Sequence, residues 1–327
     1  MSDECVVQVY SICPSSLAER ELLRFFGPSY GRLIAKFPRK DMRKPKSWAG
    51  NMPPNPHIKI MLEMVDALEN RGAFVSYSGS QMVNAAKDSF DRVARELEQP
   101  NKKLTGAIVD DFGTRRPDDF ELMHGAREFF QAPDQPHNMR YIPFRAESLM
   151  DCFRPVLKDS NTFKIIDPYI FEIRSAKDAE SRFKFLKKLI DYIHEECIDD
   201  IQDKKIEIFG KAGDGTLESL KGHIRQYTDL IEYSGSVDTQ FFGLSDTRSF
   251  QLDGKLGRFN GKEFHIRYFY AGPFLFYVEN SFQERQKNTT QEVRYIGDRP
   301  TYEFISSAYH DQSSIYEIKY RFSLADL

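Results

Sequence analysis

The 327-residue sequence has few cysteines, a single tryptophan and no long hydrophobic run, and these shortages exclude several classes of protein. Its cysteines, Cys5, Cys13, Cys152 and Cys197, form no C-x-x-C pair, which argues against a structural zinc site or a disulfide scaffold and is typical of a reducing compartment. No stretch approaches the roughly 18 apolar residues of a membrane span, and the N-terminus lacks the pattern of a signal peptide. We therefore expect a cytoplasmic protein that does not bind membranes.

An excess of charge is also missing. The sequence has 46 Lys and Arg against 49 Asp and Glu, a formal net charge of -3, so no overall field draws the chain to nucleic acid. Any such contact has to come from a local patch. With 40% hydrophobic and 29% charged residues, the composition is that of a globular protein long enough for two domains.

One local patch is the segment from Lys36 to Lys46, in which six basic side chains stand against one acid and Trp48 follows. Basic side chains beside an exposed aromatic ring can hold a nucleic-acid backbone. A solvated loop has the same composition, so both interpretations stay open. The candidate nucleic-acid-binding residues are Lys36, Arg39, Lys40, Arg43, Lys44 and Lys46.

In residues 1–150, predicted strands alternate with predicted helices, which favours an α/β layer with a partly parallel sheet. Apolar periodicity predicts helices from His57 to Arg71 and over residues 118–130. Asp110 and Asp111 follow a predicted strand, where α/β sheets usually place ligands. They could bind a divalent metal or serve as turn residues, and we assign no metal site and no cofactor.

Residues 151–327 also alternate strands with helices, beginning with a buried strand that ends in Asp167-Pro168-Tyr169. A long amphipathic helix is predicted from about Asp178 to Cys197, with an apolar stripe that we expect in the core. The predicted fold class is therefore α/β, a mixed sheet flanked by helices, with domains at 1–150 and 151–327.

The segment from Gly261 to Phe282 predicts two strands joined by a turn at Gly272. Because side chains alternate along a strand, His265 and Arg267 point to the same face. A histidine beside a fixed cation suits a phosphate or a phosphodiester. A core histidine beside an ion-paired arginine would show the same pattern.

These landmarks resemble one lobe of the phospholipase D-like fold: the strand IIDPYI, the pair H-x-R, and a following strand that ends in Glu279-Asn280-Ser281. The resemblance implies that His265 is a nucleophile, that Arg267 holds the phosphate, and that Asn280 or Ser281 lines the anion pocket. It also places Asp167 near the rim of the same cleft. The family's lysine is replaced here by Arg267, and Gly272 stands where the family has an aspartate.

The resemblance covers about residues 160–327 and implies a phospholipase D-like C-terminal lobe. The N-terminal α/β region is then either a degenerate first lobe or an unrelated domain. It indicates a phosphodiester-binding accessory subunit of a bacterial antiphage defence or restriction-like system. DNA or RNA, and other protein subunits, would be its partners. One alternative is a metal-independent nuclease, acting through His265 as a homodimer because the chain has a single H-x-R pair. Another is an assembly subunit that docks proteins and has no phosphate site.

Overall fold

The computed structural model describes two parts of the chain in different detail. In the first part it describes residues 7–12, 23, 25–36, 58–76, 106–109 and 121–124. In the second it describes residues 139–327 apart from 198–200, 202, 213–216, 234, 236, 249, 253–254, 258–265, 284–288 and 312–315. Compactness divides the chain into one unit of residues 1–138 with 151–155 and another of residues 139–150 with 156–327.

The first unit contains a five-stranded parallel sheet. Its strands are β1 (Gln8–Ile12), β2 (Arg32–Lys36), β3 (Phe74–Ser76), β4 (Gly106–Val109) and β5 (Glu121–His124). They lie in the order β3-β2-β1-β4-β5, with every neighbouring pair parallel. This order runs outward in both directions from β1, as in doubly wound α/β folds. Helix α1 (Ile58–Asn70) is where the apolar periodicity predicts a helix.

One prediction in this unit is wrong. Residues 121–124 form strand β5, whereas the periodicity predicts a helix over 118–130. The four residues pair in parallel with β4, from Gly106 opposite Glu121 to Val109 opposite His124. Pairing with a neighbouring strand supplies backbone hydrogen bonds that a local apolar pattern does not reveal, so tertiary context overrides the helical signal here.

The second unit is built on an eight-stranded mixed sheet. Its strands are β6 (Met139–Pro143), β7 (Thr162–Ile166), β8 (Lys205–Lys211), β9 (Asp238–Arg248), β12 (Arg267–Ala271), β13 (Phe274–Val278), β14 (Thr290–Ile296) and β15 (Tyr316–Ser323); β10 (Phe250–Leu252) and β11 (Lys255–Gly257) form a separate pair. The order is β15-β9-β8-β7-β12-β13-β14-β6. Only β7, β8 and β9 run parallel to one another, and all other neighbours are antiparallel. The predicted α/β class with a mixed sheet is confirmed.

Helices pack on both faces of this sheet. The described helices are α2 (Ala146–Leu157), α3 (Ala176–Glu196), α4 (Leu217–Tyr227) and α5 (Arg299–Ala308). On one face, Phe185 of α3 meets Phe269 of β12 edge to face, with 5.4 Å between ring centroids. On the other, Tyr309 at the end of α5 meets Phe209 of β8 at 6.0 Å. The sheet is therefore a central layer with an aromatic core on each side.

Helix α3 shows why the predicted long helix forms. Ser175 caps its N-terminus, where the side chain accepts a hydrogen bond from the backbone N–H of Asp178 at 3.2 Å. The predicted apolar stripe is buried, as expected: Phe183, Leu186, Ile190, Ile193 and Cys197. None of the helices in the described ranges is long and apolar enough to cross a lipid bilayer.

The predicted strand pair is confirmed. β12 and β13 pair antiparallel from Arg267 opposite Val278 to Ala271 opposite Phe274. Gly272 takes the left-handed backbone conformation in the turn between them, with φ of 56°. The hairpin thereby returns the residues that follow β13 to the end of the sheet where β12 begins.

Candidate functional site

Strand register brings the candidate site together at one end of the sheet. β12 begins at Arg267, and its neighbour β7 ends at Ile166, which lies opposite Tyr268. Asp167, the residue that follows β7, therefore comes level with Arg267. Because Arg267 also lies opposite Val278, the turn after β13 reaches the same point. The site is thus assembled from three neighbouring segments, at the carboxyl ends of β7 and β13 and the amino end of β12.

Asp167 is at the centre of the site. The residue is 1% exposed. One carboxylate oxygen, Oδ2, accepts a hydrogen bond of 2.6 Å from the hydroxyl of Ser281 and one of 3.4 Å from the backbone N–H of Phe282. The other, Oδ1, accepts a hydrogen bond of 3.0 Å from the backbone N–H of Tyr169. These donors compensate for the loss of hydration that a buried carboxylate would otherwise suffer.

Arg267 forms the cationic part of the site. Its Nε lies 3.5 Å from Oδ1 of Asp167, and its side chain is 16% exposed. Its Nη1 donates a hydrogen bond of 3.0 Å to the backbone carbonyl of Glu279. The guanidinium carbon lies 5.2 Å from the centre of the Tyr169 ring, within the range of a cation–π contact. Three kinds of contact therefore hold the guanidinium group in place.

A second carboxylate continues the network into helix α3. Oδ1 of Asp178 accepts hydrogen bonds from Nε of Arg182 at 3.0 Å and from Nε2 of Gln283 at 2.9 Å. Arg182 also donates to the backbone carbonyl of Tyr169. Gln283 in turn donates its backbone N–H to the hydroxyl of Ser281 at 3.0 Å. A continuous chain of polar contacts therefore joins the first turn of α3 to the segments around Asp167.

The segment after Asp167 is shaped by close packing over β8. Gly210 of β8 leaves room for Ile170 and Phe171, since a Cβ at this position would lie 2.6 Å from a ring carbon of Phe171. The backbone N–H of Lys211 donates to the carbonyl of Pro168 at 3.0 Å. This close approach holds the segment that carries the Tyr169 ring.

The structure places the predicted site residues as follows. Ser281 is buried and contacts Asp167, while Asn280 is half-buried and its amide donates to the Glu279 carboxylate at 3.4 Å. His265 lies outside the described residues, although Arg267 two positions later is described. Lys36 is the last residue of β2. The other predicted residues outside the described ranges are Arg39, Lys40, Arg43, Lys44, Lys46, Asp110 and Asp111.

The tyrosine next to the site on β13 has a raised pKa. Burial raises the pKa of the Tyr277 phenol, and the negative charges of Glu279 and Glu292 raise it further. Tyr277 pairs with Tyr268 across the strands, with 6.4 Å between ring centroids. The ordinary pKa of a phenol is already 10.0, so these effects keep Tyr277 neutral to a still higher pH.

The arrangement has the chemistry of an anion site. Arginine presents a planar fork of donors that matches the oxygens of a phosphate group. Of the other two predicted pocket residues, Ser281 directs its hydroxyl to Asp167, and Asn280 donates from its amide to the Glu279 carboxylate, so Arg267 is the group of the three that offers cationic donors to an anion. Over the ranges for which positions are given, no three His, Cys, Asp or Glu side chains form a group that could hold a metal ion.

Comparisons with known proteins give little to set beside this geometry. No protein-family model matches the sequence, and none of the curated proteins compared with it matches. Among solved structures, TrmBL2, described as an archaeal chromatin protein with a novel mode of DNA binding, is similar at a TM-score of 0.26 and 11% identity. The match covers 54% of this chain and spans about half, 53%, of that one. A likeness at this TM-score supports no statement about the fold or the function of this chain.

Proposed function

We propose that this chain is a phosphodiester-binding protein that holds DNA or RNA through Arg267 at the end of the mixed sheet. One observation carries the proposal: the guanidinium of Arg267 is held between the Asp167 carboxylate and the Tyr169 ring. A guanidinium held in one orientation loses less conformational entropy when it binds a phosphate than a freely rotating one does. Such a site favours the binding of a phosphodiester over its cleavage.

The phospholipase D-like resemblance supports the wider setting of this proposal. On that basis the chain serves as an accessory subunit of a bacterial antiphage defence or restriction-like system, beside other protein subunits. The net charge of -3 fits a protein that relies on a local contact rather than on a basic surface. The cluster itself is nearly balanced, because Asp167 offsets the charge of Arg267.

The test is a binding assay with short single- and double-stranded DNA and RNA in EDTA, over a series of salt concentrations. We expect Arg267→Ala to weaken binding roughly tenfold, which corresponds to the loss of about 1.4 kcal/mol from one charge-assisted contact. The slope of log affinity against log salt should become shallower by about one unit, because one phosphate contact is lost.

A matched control removes an arginine elsewhere. Arg299, on helix α5, is 82% exposed and forms an i,i+4 ion pair of 2.7 Å with Glu303. Arg299→Ala makes the same change in net charge as Arg267→Ala, and we expect it to change the affinity less than twofold, as a surface pair contributes little. Equal effects of the two substitutions would show that binding depends on net charge alone, and the assignment to Arg267 would be wrong.

The same assay separates the alternatives. Cleavage in EDTA that disappears in His265→Ala would establish a nuclease that attacks through His265, and would call for a measurement of the oligomeric state. If the wild-type protein neither binds nor cuts any of these nucleic acids, the phosphodiester site is refuted. An assembly subunit without a phosphate site would then be the better description.

A further inference from the structure

Resting on the proposed function, we propose that Asp167 is the positioning residue of this site: it orients the Arg267 guanidinium for a phosphate and makes no ligand contact of its own. Its burial supports this assignment, because a carboxylate that is 1% exposed is out of reach of a nucleic acid. Any influence of Asp167 on binding therefore has to pass through a neighbour, and Arg267 is the cationic neighbour.

Asp167 can act as a fixed anchor because its own position does not depend on Arg267. The hydroxyl of Ser281 and the backbone N–H groups of Tyr169 and Phe282 all donate to its carboxylate. These donors come from two segments that β7 and β13 hold in register through their pairing with β12. The carboxylate thus stays in place, and Arg267 is the member of the pair whose side-chain conformation the contact restricts.

The contacts to Arg267 define the plane of its guanidinium. Asp167 lies next to Nε, the carbonyl of Glu279 accepts from Nη1, and the Tyr169 ring lies against the guanidinium face. Constraints at two different nitrogens and on one face fix both the direction and the tilt of a planar group. Tyr169 also donates its backbone N–H to Asp167, so Asp167 contacts Arg267 directly and helps to hold the segment that carries the ring.

Two other roles for Asp167 make different predictions. If Asp167 were a counter-ion that competes with phosphate, its neutralisation would strengthen nucleic-acid binding. If its role were only to stabilise the fold, its neutralisation would weaken binding to the same extent whether or not Arg267 is present. A positioning residue weakens binding only when the residue that it positions is present, and a double-mutant cycle measures that dependence.

The experiment measures the affinity for single-stranded DNA in wild type, Asp167→Asn, Arg267→Ala and the double variant. We expect Asp167→Asn to weaken binding several-fold in the wild-type background and less than twofold in the Arg267→Ala background. The matched control is Glu207→Gln, since Glu207 is also a buried carboxylate, 4% exposed, and pairs with Lys164 at 3.4 Å. Glu207→Gln should change the affinity less than twofold in both backgrounds. Equal losses for Asp167→Asn in both backgrounds, or tighter binding, would overturn the proposal.

A second measurement needs no ligand and does not depend on Asp167→Asn being stable. The Nε–H signal of Arg267 in a ¹⁵N spectrum of the wild-type protein is identified by its absence in Arg267→Ala. We expect it to exchange slowly with water and, where Asp167→Asn folds, to shift and exchange faster there. A fast-exchanging signal in the wild type would overturn the positioning role. If the wild-type protein binds no nucleic acid but its Arg267 Nε–H exchanges slowly, the phosphodiester site is refuted, whereas the orientation of Arg267 by Asp167 is not.

Discussion

The packing of Gly243 against Tyr320 gives a sharp test of the mixed sheet. The two residues are cross-strand partners on β9 and β15. A Cβ at Gly243 would lie 2.2 Å from Cζ of the Tyr320 ring, far inside van der Waals contact. The ring also packs near Phe171 and Phe322, at 6.2 and 6.4 Å between centroids, so it cannot move aside without disturbing them. We expect Gly243→Ala to destabilise the protein by about 2 kcal/mol, as overpacking of a filled site typically does.

A matched glycine provides the control. Gly222 lies inside helix α4, and a Cβ there would meet nothing within 4 Å. Gly222→Ala adds the same methyl group but should stabilise the protein by roughly 0.5–1 kcal/mol, because alanine favours the helix and restricts the unfolded chain. Urea unfolding followed by circular dichroism measures both changes. If Gly243→Ala were as stable as wild type, the ring of Tyr320 could not lie fixed over Gly243 as the structure has it.

Three further changes test other parts of the structure. Lys204 is 2% exposed, and its ammonium group donates to two carbonyls and one side-chain oxygen. Lys204→Met should lower the free energy of unfolding by about 2–3 kcal/mol, because buried acceptors lose their donor. The control Lys188→Met, which removes a surface ion pair, should change it by less than about 1 kcal/mol. Burial raises the pKa of the Tyr320 phenol to about 12, against an ordinary value of 10.0. Because the unfolded chain ionises first, the free energy of unfolding should decrease as the pH rises between those two values. Unfolding curves measured at alkaline pH should show a smaller decrease for Tyr320→Phe than for wild type. Gly210→Ala would bring a Cβ within 2.6 Å of a ring carbon of Phe171. It should destabilise the protein and also weaken DNA binding, because it displaces the segment that follows Asp167. An unchanged affinity would show that the position of this segment does not affect binding.

The sequence predicts those parts of the fold that depend on local patterns. The apolar stripe of α3 repeats at helical spacing, and the turn at Gly272 separates two strongly apolar strands, so both elements are where the pattern predicts them. Strand β5 departs from the prediction because its four residues, Glu121 to His124, are too few to show a period that distinguishes a strand from a helix. Its state depends on pairing with β4, which no local pattern records.

The site shows the same division between local and long-range information. The pair H-x-R singles out Arg267, whereas Ser281 and the position of Asp167 near the same cleft are predicted from the phospholipase D-like resemblance, which gives Asp167 no role. That Asp167 contacts both residues depends on the antiparallel pairing of β7 with β12, which joins segments far apart in the chain. The available signal was a buried strand that ends in an aspartate, where a charge needs a partner.

The pairing of β7 with β12 also explains why the carboxylate beside Arg267 comes from another segment of the chain. The turn position is occupied by Gly272, whose left-handed backbone conformation suits the tight hairpin. A Cβ at Gly272 would lie 3.0 Å from the hydroxyl of Ser160, so a larger residue there would need a neighbour to move as well as a strained backbone. A carboxylate at that turn would also lie at the far end of β12 from Arg267. Asp167, which follows the adjacent strand β7, lies at the end of the sheet where Arg267 is.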